Sequence, residues 1–377
     1  MRFLKATLTV LLISFVLIEA LTLVIYHGPS RSFLATFVRE SNRLQYSNLR
    51  VHLGRIKLPP PEKKDVLVLG DSQAFGHLVK TDDTFAALIG TALAGKVVNL
   101  GIPGTSPIIY NRMLEVGLQY DPELIIYCVY ANDFQESSVH YLPLSSPDWD
   151  AAPDYREVDA RLFFSGEPWD YRALGGVKQI INFSKSAQLT VNLAGHLLVS
   201  RMFRSAYAPE VNHAAFSTII DFEGHPTVCH PIFWRTILDL TDPRIKKGFQ
   251  NAILACRLAA DVSRRHGKKF MVVLIPCKEM IYLAPSHQEP SLPDDDGGRL
   301  WAEAGGPRFF DPYGEFEKKL KDFGVPVYNA TDFFLEEEKK DKTSQLFLHS
   351  DSHLSEAGHR VMADGIIRYL RQSGWAL

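Results

Sequence analysis

Ser72, His353 and Asp351 are the residues of this chain whose types and placement could carry out acyl chemistry. A serine hydroxyl is a weak nucleophile until a base takes its proton, an acid orients that base, and donors receive the charge that develops on the attacked carbonyl. In this arrangement Ser72 attacks, His353 is the general base, and Asp351, two residues earlier, holds the imidazole. The N–H groups of Ser72 and Gly104 and the side chain of Asn132 are the candidate oxyanion hole. Gly70-Asp71-Ser72 taken alone fits a plain turn as well as a nucleophile, since all three residues favour turns. Asp71 reads as a turn-former and Asp133 as a brace or cap for its loop, both in support of the site. His349 and His359 are rival bases, the second falling one turn into the last helix. Lys278 and Glu279 could touch substrate, but a surface ion pair is the simpler reading.

The elements that must position these residues alternate. Val66, Leu67, Val68 and Leu69 form a short apolar run of the kind found in strands buried on both faces, and Ser72 follows directly. Helical spacing over residues 84–93, with Asp82 or Asp83 placed to cap it, leads to a strand over 96–100 and the Gly101–Gly104 loop. A helix starting at Ser106 or Pro107 precedes a strand over 124–130, which ends at Ala131-Asn132-Asp133. After residue 241 the pattern resumes, with a helix over 243–266, a strand over 270–275, a charged helix over 314–323 and a strand over 325–328. Ser355 is placed to cap a last helix with Val361, Met362, Ile366, Ile367 and Leu370 on its buried face. Strand–helix alternation with short connections predicts an α/β fold, a three-layer doubly wound parallel sheet. Ligands bind such sheets at the carboxyl ends of the strands, and Ser72, Gly104, Asn132, Asp351 and His353 each lie at such an end or in a following loop. Residues 134–241 interrupt the alternation and are rich in aromatics, with one long helix expected near 177–203. They read as a helical insertion over that edge, either a satellite subdomain or a substrate-binding cap.

Four blocks stand in order: Gly70-Asp71-Ser72, then Asn99-Leu100-Gly101-Ile102-Pro103-Gly104, then Asn132-Asp133, then Asp351-Ser352-His353. In this the chain resembles the SGNH (GDSL) hydrolase superfamily over about 65–133 and 243–377. The resemblance implies a flavodoxin-like sheet and a serine ester hydrolase or O-acyltransferase, with Ser72, Asp351 and His353 as catalytic triad. It also implies Ser72, Gly104 and Asn132 as oxyanion hole. There are two departures. Tyr130-Ala131 stands where the third block has glycine, and Asp351 and His353 are two apart rather than three. The shorter spacing and Pro276-Cys277-Lys278-Glu279 are similar to the branch of alginate-type polysaccharide O-acetyltransferases. A catalytically silent polysaccharide-binding or scaffold protein is the alternative from another class. No serine sits in a Gly-x-Ser-x-Gly elbow, which sets the α/β-hydrolase reading aside.

Residues 6–26 are apolar apart from Thr7, Thr9, Ser14, Glu19 and Thr22, long enough to span a bilayer. With the leader-like Met-Arg-Phe-Leu-Lys start they read as an uncleaved signal anchor over 1–26, single-pass, with the catalytic domain on the extracytoplasmic, periplasmic side. A basic, proline-containing connector over 27–64 then leads to the domain over 65–377. A formal net charge of −2 gives no reason to expect a nucleic-acid partner. The four cysteines lack C-x-x-C spacing and read as buried thiols, not a zinc or redox site. Asp294-Asp295-Asp296 reads as a solvated loop before a cation site. No metal or cofactor is expected. The expected partners are an ester-bearing carbohydrate or lipid substrate, the membrane, and a protein of an envelope complex.

Overall fold

The computed structural model describes residues 14–18, 20–21, 62–139, 218–222, 225–230, 234, 237–283, 311–341, 344–349 and 352–375. Five strands make one sheet: β1 (Val66–Leu69), β2 (Val97–Asn99), β3 (Leu124–Val129), β6 (Lys269–Leu274) and β7 (Val327–Asn329). Their order is β2-β1-β3-β6-β7 and every pairing is parallel. This is the doubly wound, flavodoxin-like order, which reverses direction between β1 and β3. The site candidates that follow β1 and β3 therefore lie at the topological switch point. All four residues of β1 and all six of β3 are buried, as strands covered on both faces require. Each fully buried Val or Leu contributes about 1.5–3 kcal/mol of apolar burial.

Helices cover the two faces. On one, α3 (Pro107–Gly117), α4 (Asn132–Val139), α5 (Pro243–Arg265) and α7 (Asp311–Asp322) pack together. Phe134 of α4 sits 5.0 Å from Phe249 of α5 and 5.0 Å from Phe316 of α7, ring centre to ring centre. On the other, α2 (Phe85–Ala92) packs on α9 (Glu356–Gln372), and α8 (Thr331–Lys340) packs on α9. Two short helices, α1 (Ser72–Phe75) and α6 (Lys278–Tyr282), follow β1 and β6 directly. The helix end signals are local. Pro107 occupies the first turn of α3, and the Ser355 hydroxyl accepts from the N–H groups of Ala357 and Gly358. The cap of α2 differs from expectation. Thr84 accepts from the N–H of Ala87, while Asp82 and Asp83 lie in a preceding 3₁₀ turn.

The stretch 134–241 holds an antiparallel hairpin, β4 (Thr218–Phe222) and β5 (His225–Cys229), which the sequence pattern did not signal. The helix expected near 177–203 lies outside the described residues, as does Asp294-Asp295-Asp296. Residues 14–18 and 20–21 are helical, with Phe15, Val16, Leu17, Ile18 and Leu21 exposed. Among the described residues no helix is long and apolar enough to cross a membrane; the rest of the expected anchor and the connector to residue 61 lie outside them. All four cysteines are free and buried, and no cluster of metal-ligating side chains occurs among the described residues.

Candidate active site

Gly70 fixes how the chain leaves β1. A Cβ there would stand 2.5 Å from that of Ala74 and 2.9 Å from that of Cys128, so α1 and β3 can approach only a glycine. Asp71 then caps α1, its Oδ1 accepting from the N–H of Gln73 at 2.9 Å. That cap places Ser72 at the first position of the helix, half-buried at the carboxyl edge of the sheet. Asp71 thus shapes the turn that carries Ser72. Its other oxygen is 3.4 Å from Ser72 Oγ, a long contact.

His353 reaches the same point from the other end of the chain. Ser72 Oγ and His353 Nε2 are 2.8 Å apart, across 281 residues of sequence. This is the hydrogen-bond distance a serine needs from its general base. The rival histidines are placed elsewhere. His359 is buried in α9, its Nδ1 accepting from the N–H of Phe85 at 3.2 Å and its ring stacked on Phe85. Burial holds its imidazole down to about 3, so it stays neutral. His349 is buried too, and its backbone carbonyl accepts from the N–H of Val228 at 2.7 Å. His77, which sequence reasoning did not single out, lies beside the base, its ring centre 4.5 Å from that of His353. Asp351 lies outside the described residues.

Asn132 opens α4 at the end of β3, and its Nδ2 donates to Glu136 Oε1 at 3.0 Å and also faces Asp71. Asp133 is fully buried and braces the loop, accepting from the Tyr110 hydroxyl at 2.7 Å and the Tyr130 N–H at 2.9 Å. Burial raises the carboxyls of Asp71, Asp133 and Glu136, the last two well above the usual range; neighbouring acids push Asp133 and Glu136 the same way, while the Gln73 N–H and His353 oppose the rise at Asp71. Gly104 lies in the loop after β2 with φ of 71°, a left-handed conformation suited to glycine, and a Cβ there would meet open space. Tyr130, at the altered third block, is buried with its ring edge-on against Trp234.

Lys278 and Glu279 correct the sequence reading. They are not a surface pair; both are buried, Lys278 completely. The Lys278 ammonium donates to the carbonyls of Leu348 (2.6 Å), Val228 (2.8 Å) and His349 (3.2 Å) and to Thr227 Oγ1 (3.0 Å). Glu279 accepts from the N–H of His230 at 2.8 Å. Lys278 therefore ties the hairpin to the loop that carries His353.

Comparison with known proteins adds the family. Residues 233–376 match the model of an SGNH hydrolase-like domain, acetyltransferase AlgX. The matched part holds His353 and Lys278; Ser72, Gly104 and Asn132 lie before it. No curated protein matches the sequence. Similar solved structures include a putative lipolytic protein of the G-D-S-L family from Desulfitobacterium hafniense DCB-2, at 10% identity and a TM-score of 0.37, covering 81% of this chain and 98% of that one. An acetyl xylan esterase, AlAXEase, has 10% identity and a TM-score of 0.38, covering 81% of this chain and 99% of that one. An acetylxylan esterase from Geobacillus stearothermophilus has 13% identity and a TM-score of 0.36, covering 81% and 94%. Overlaps this loose bear on neither substrate nor residue roles. Over residues 233–376, then, the chain is similar to an SGNH hydrolase-like domain of the AlgX acetyltransferase kind, and its serine and histidine meet at 2.8 Å.

Proposed function

We propose that the protein is a membrane-anchored serine esterase that acts on O-acyl, chiefly O-acetyl, esters of a carbohydrate or envelope polymer. The observation that carries this reading is the contact of Ser72 Oγ with His353 Nε2 at 2.8 Å. In the forward step His353 Nε2 takes the Ser72 proton while Oγ bonds to the ester carbonyl carbon. The resulting oxyanion is received by the N–H groups of Ser72 and Gly104 and the Asn132 amide. Collapse of the tetrahedral adduct breaks the bond to the sugar oxygen, which leaves with the proton held by His353. The acyl group remains on Ser72. Water, deprotonated by the same imidazole, then releases it as the carboxylic acid. Asp351 orients the imidazole throughout.

A sugar hydroxyl in place of that water turns the second half-reaction into O-acetyl transfer, using the same residues. The match to a domain described as an acetyltransferase favours this second reading. Which acceptor prevails depends on whether the site excludes water. The anchor rests on the apolar run over 6–26 and on the exposed apolar helical residues at 14–18 and 20–21. With the leader-like start it supports a catalytic domain on the periplasmic side of the membrane, where a partner protein of an envelope complex would meet it. Mass spectrometry of an O-acetylated polysaccharide incubated with the purified protein reads the outcome. Loss of acetyl supports hydrolysis, gain from an acetyl donor supports transfer, and no change with either would overturn both readings.

A further inference from the structure

Gln73, the residue after the nucleophile, is almost completely buried (1% exposed) and belongs to the four-residue helix α1. A buried amide costs free energy unless both of its ends are hydrogen-bonded. Both are, and to one target. Gln73 Nε2 donates to the carbonyl of Ser352 at 3.2 Å, and Gln73 Oε1 accepts from the N–H of Leu354 at 3.1 Å. These are the backbone groups on either side of His353. The side-chain amide thus takes the place of a neighbouring strand along one edge of the His353 segment. The opposite edge is held as well, since the His353 carbonyl accepts from the N–H of Leu348 at 2.9 Å. The Tyr130 hydroxyl adds a second donor to the Ser352 carbonyl at 3.3 Å.

We infer that Gln73, assisted by Tyr130, is a positioning residue that holds the backbone of His353 at the distance from Ser72 that proton transfer requires. The inference rests on the reading of Ser72 and His353 as nucleophile and base. Ser72 and Gln73 are consecutive in one capped turn, so the nucleophile and the clasp on its base move as one body. This also gives a role to the tyrosine that departs from glycine in the third block. Its hydroxyl reaches across to Ser352 while its ring lies against Trp234.

The test compares the full chain with Gln73→Met and Tyr130→Phe, using p-nitrophenyl acetate for turnover and a fluorophosphonate probe, taken to completion, to count reactive serines. Methionine keeps the volume and removes both hydrogen bonds. Because small displacements of reacting groups cost up to about a hundredfold, Gln73→Met is expected to lower kcat per labelled serine by about thirtyfold with KM within twofold. Tyr130→Phe is expected to lower it about threefold. Gln73→Glu keeps the acceptor for Leu354 and loses the donor to Ser352, and should fall between them; it carries the test if the methionine variant does not fold. Unchanged kcat per labelled serine in the variants, with wild type labelled, would overturn the role of Gln73 alone. A wild-type serine that does not label would overturn the underlying reading and the inference with it.

Discussion

The ammonium of Lys278 lies 2.6 Å from the carbonyl oxygen of Leu348, and Leu348 donates its own N–H to the carbonyl of His353 at 2.9 Å. One peptide unit therefore separates a buried charge from the backbone of the general base. Removing that charge takes one donor from each of the carbonyls of Leu348, Val228 and His349 and from the Thr227 hydroxyl, in a region closed to water, although the His349 carbonyl keeps the N–H of Val228. We expect Lys278→Met to destabilise the fold by about 2–4 kcal/mol. Urea unfolding at neutral pH measures it. An unchanged midpoint would show that the neighbouring groups find other partners.

The three histidines near the carboxyl end should separate cleanly. His353→Ala is expected to lower kcat on p-nitrophenyl acetate by at least about a thousandfold, the usual cost of losing a triad member. His349→Ala and His359→Gln should keep kcat within a few fold, because Ser72 Oγ is met by His353 Nε2 at 2.8 Å and His359 Nδ1 is engaged by the N–H of Phe85. A His349 variant as inactive as the His353 variant would reassign the base.

The buried imidazole of His359 makes an acid-side prediction. Its folded value is depressed to about 3, below the usual 6.5, so between these values the unfolded chain binds the proton and the folded chain does not. Its contribution to stability is complete above about pH 6.5 and is lost as pH falls toward 3, at about 1.4 kcal/mol per pH unit. Thermal melting of His359→Gln should show a shallower fall in Tm between pH 6.5 and 4.5 than the wild type. Parallel curves would contradict this.

Asp133 acts with the opposite sign. Burial raises its carboxyl well above 3.8, so the folded chain holds a proton that the unfolded chain has released. Stability from this group is complete below about pH 3.8 and is lost as pH rises through the raised folded value. Asp133→Asn, neutral throughout, should flatten the decline of Tm as pH rises above about 3.8, whatever its absolute stability. The same slope in both proteins would show that Asp133 ionises normally.

Much of this architecture is written in local pattern. The β1 run of Val66 to Leu69, the cap at Ser355 and the apolar face of α9 are set by near neighbours, and each stands where the sequence places it. The Ser72–His353 pairing was legible through the four ordered blocks that resemble the SGNH superfamily; Ser72 follows β1, while His353 arrives on the loop between α8 and α9. The hairpin β4–β5 did not show, because its strands lack the alternation and turn signals that mark a hairpin. Lys278 was misread as a surface residue because composition does not reveal that four oxygen acceptors, from residues 50 to 71 positions away in the chain, converge on one ammonium. Gln73 was overlooked for the same reason. Its partners, Ser352 and Leu354, are nearly the length of the domain away. Asp351, the third member of the expected triad, lies outside the described residues.

The central claim is that Ser72 is a nucleophile activated by His353. Its most direct test is covalent labelling of the full-length protein by a fluorophosphonate probe, with the modified peptide identified by mass spectrometry. The account predicts one adduct on Ser72, lost in Ser72→Ala and strongly slowed in His353→Ala. An adduct on another serine, or none under conditions that label a known serine esterase, would contradict it.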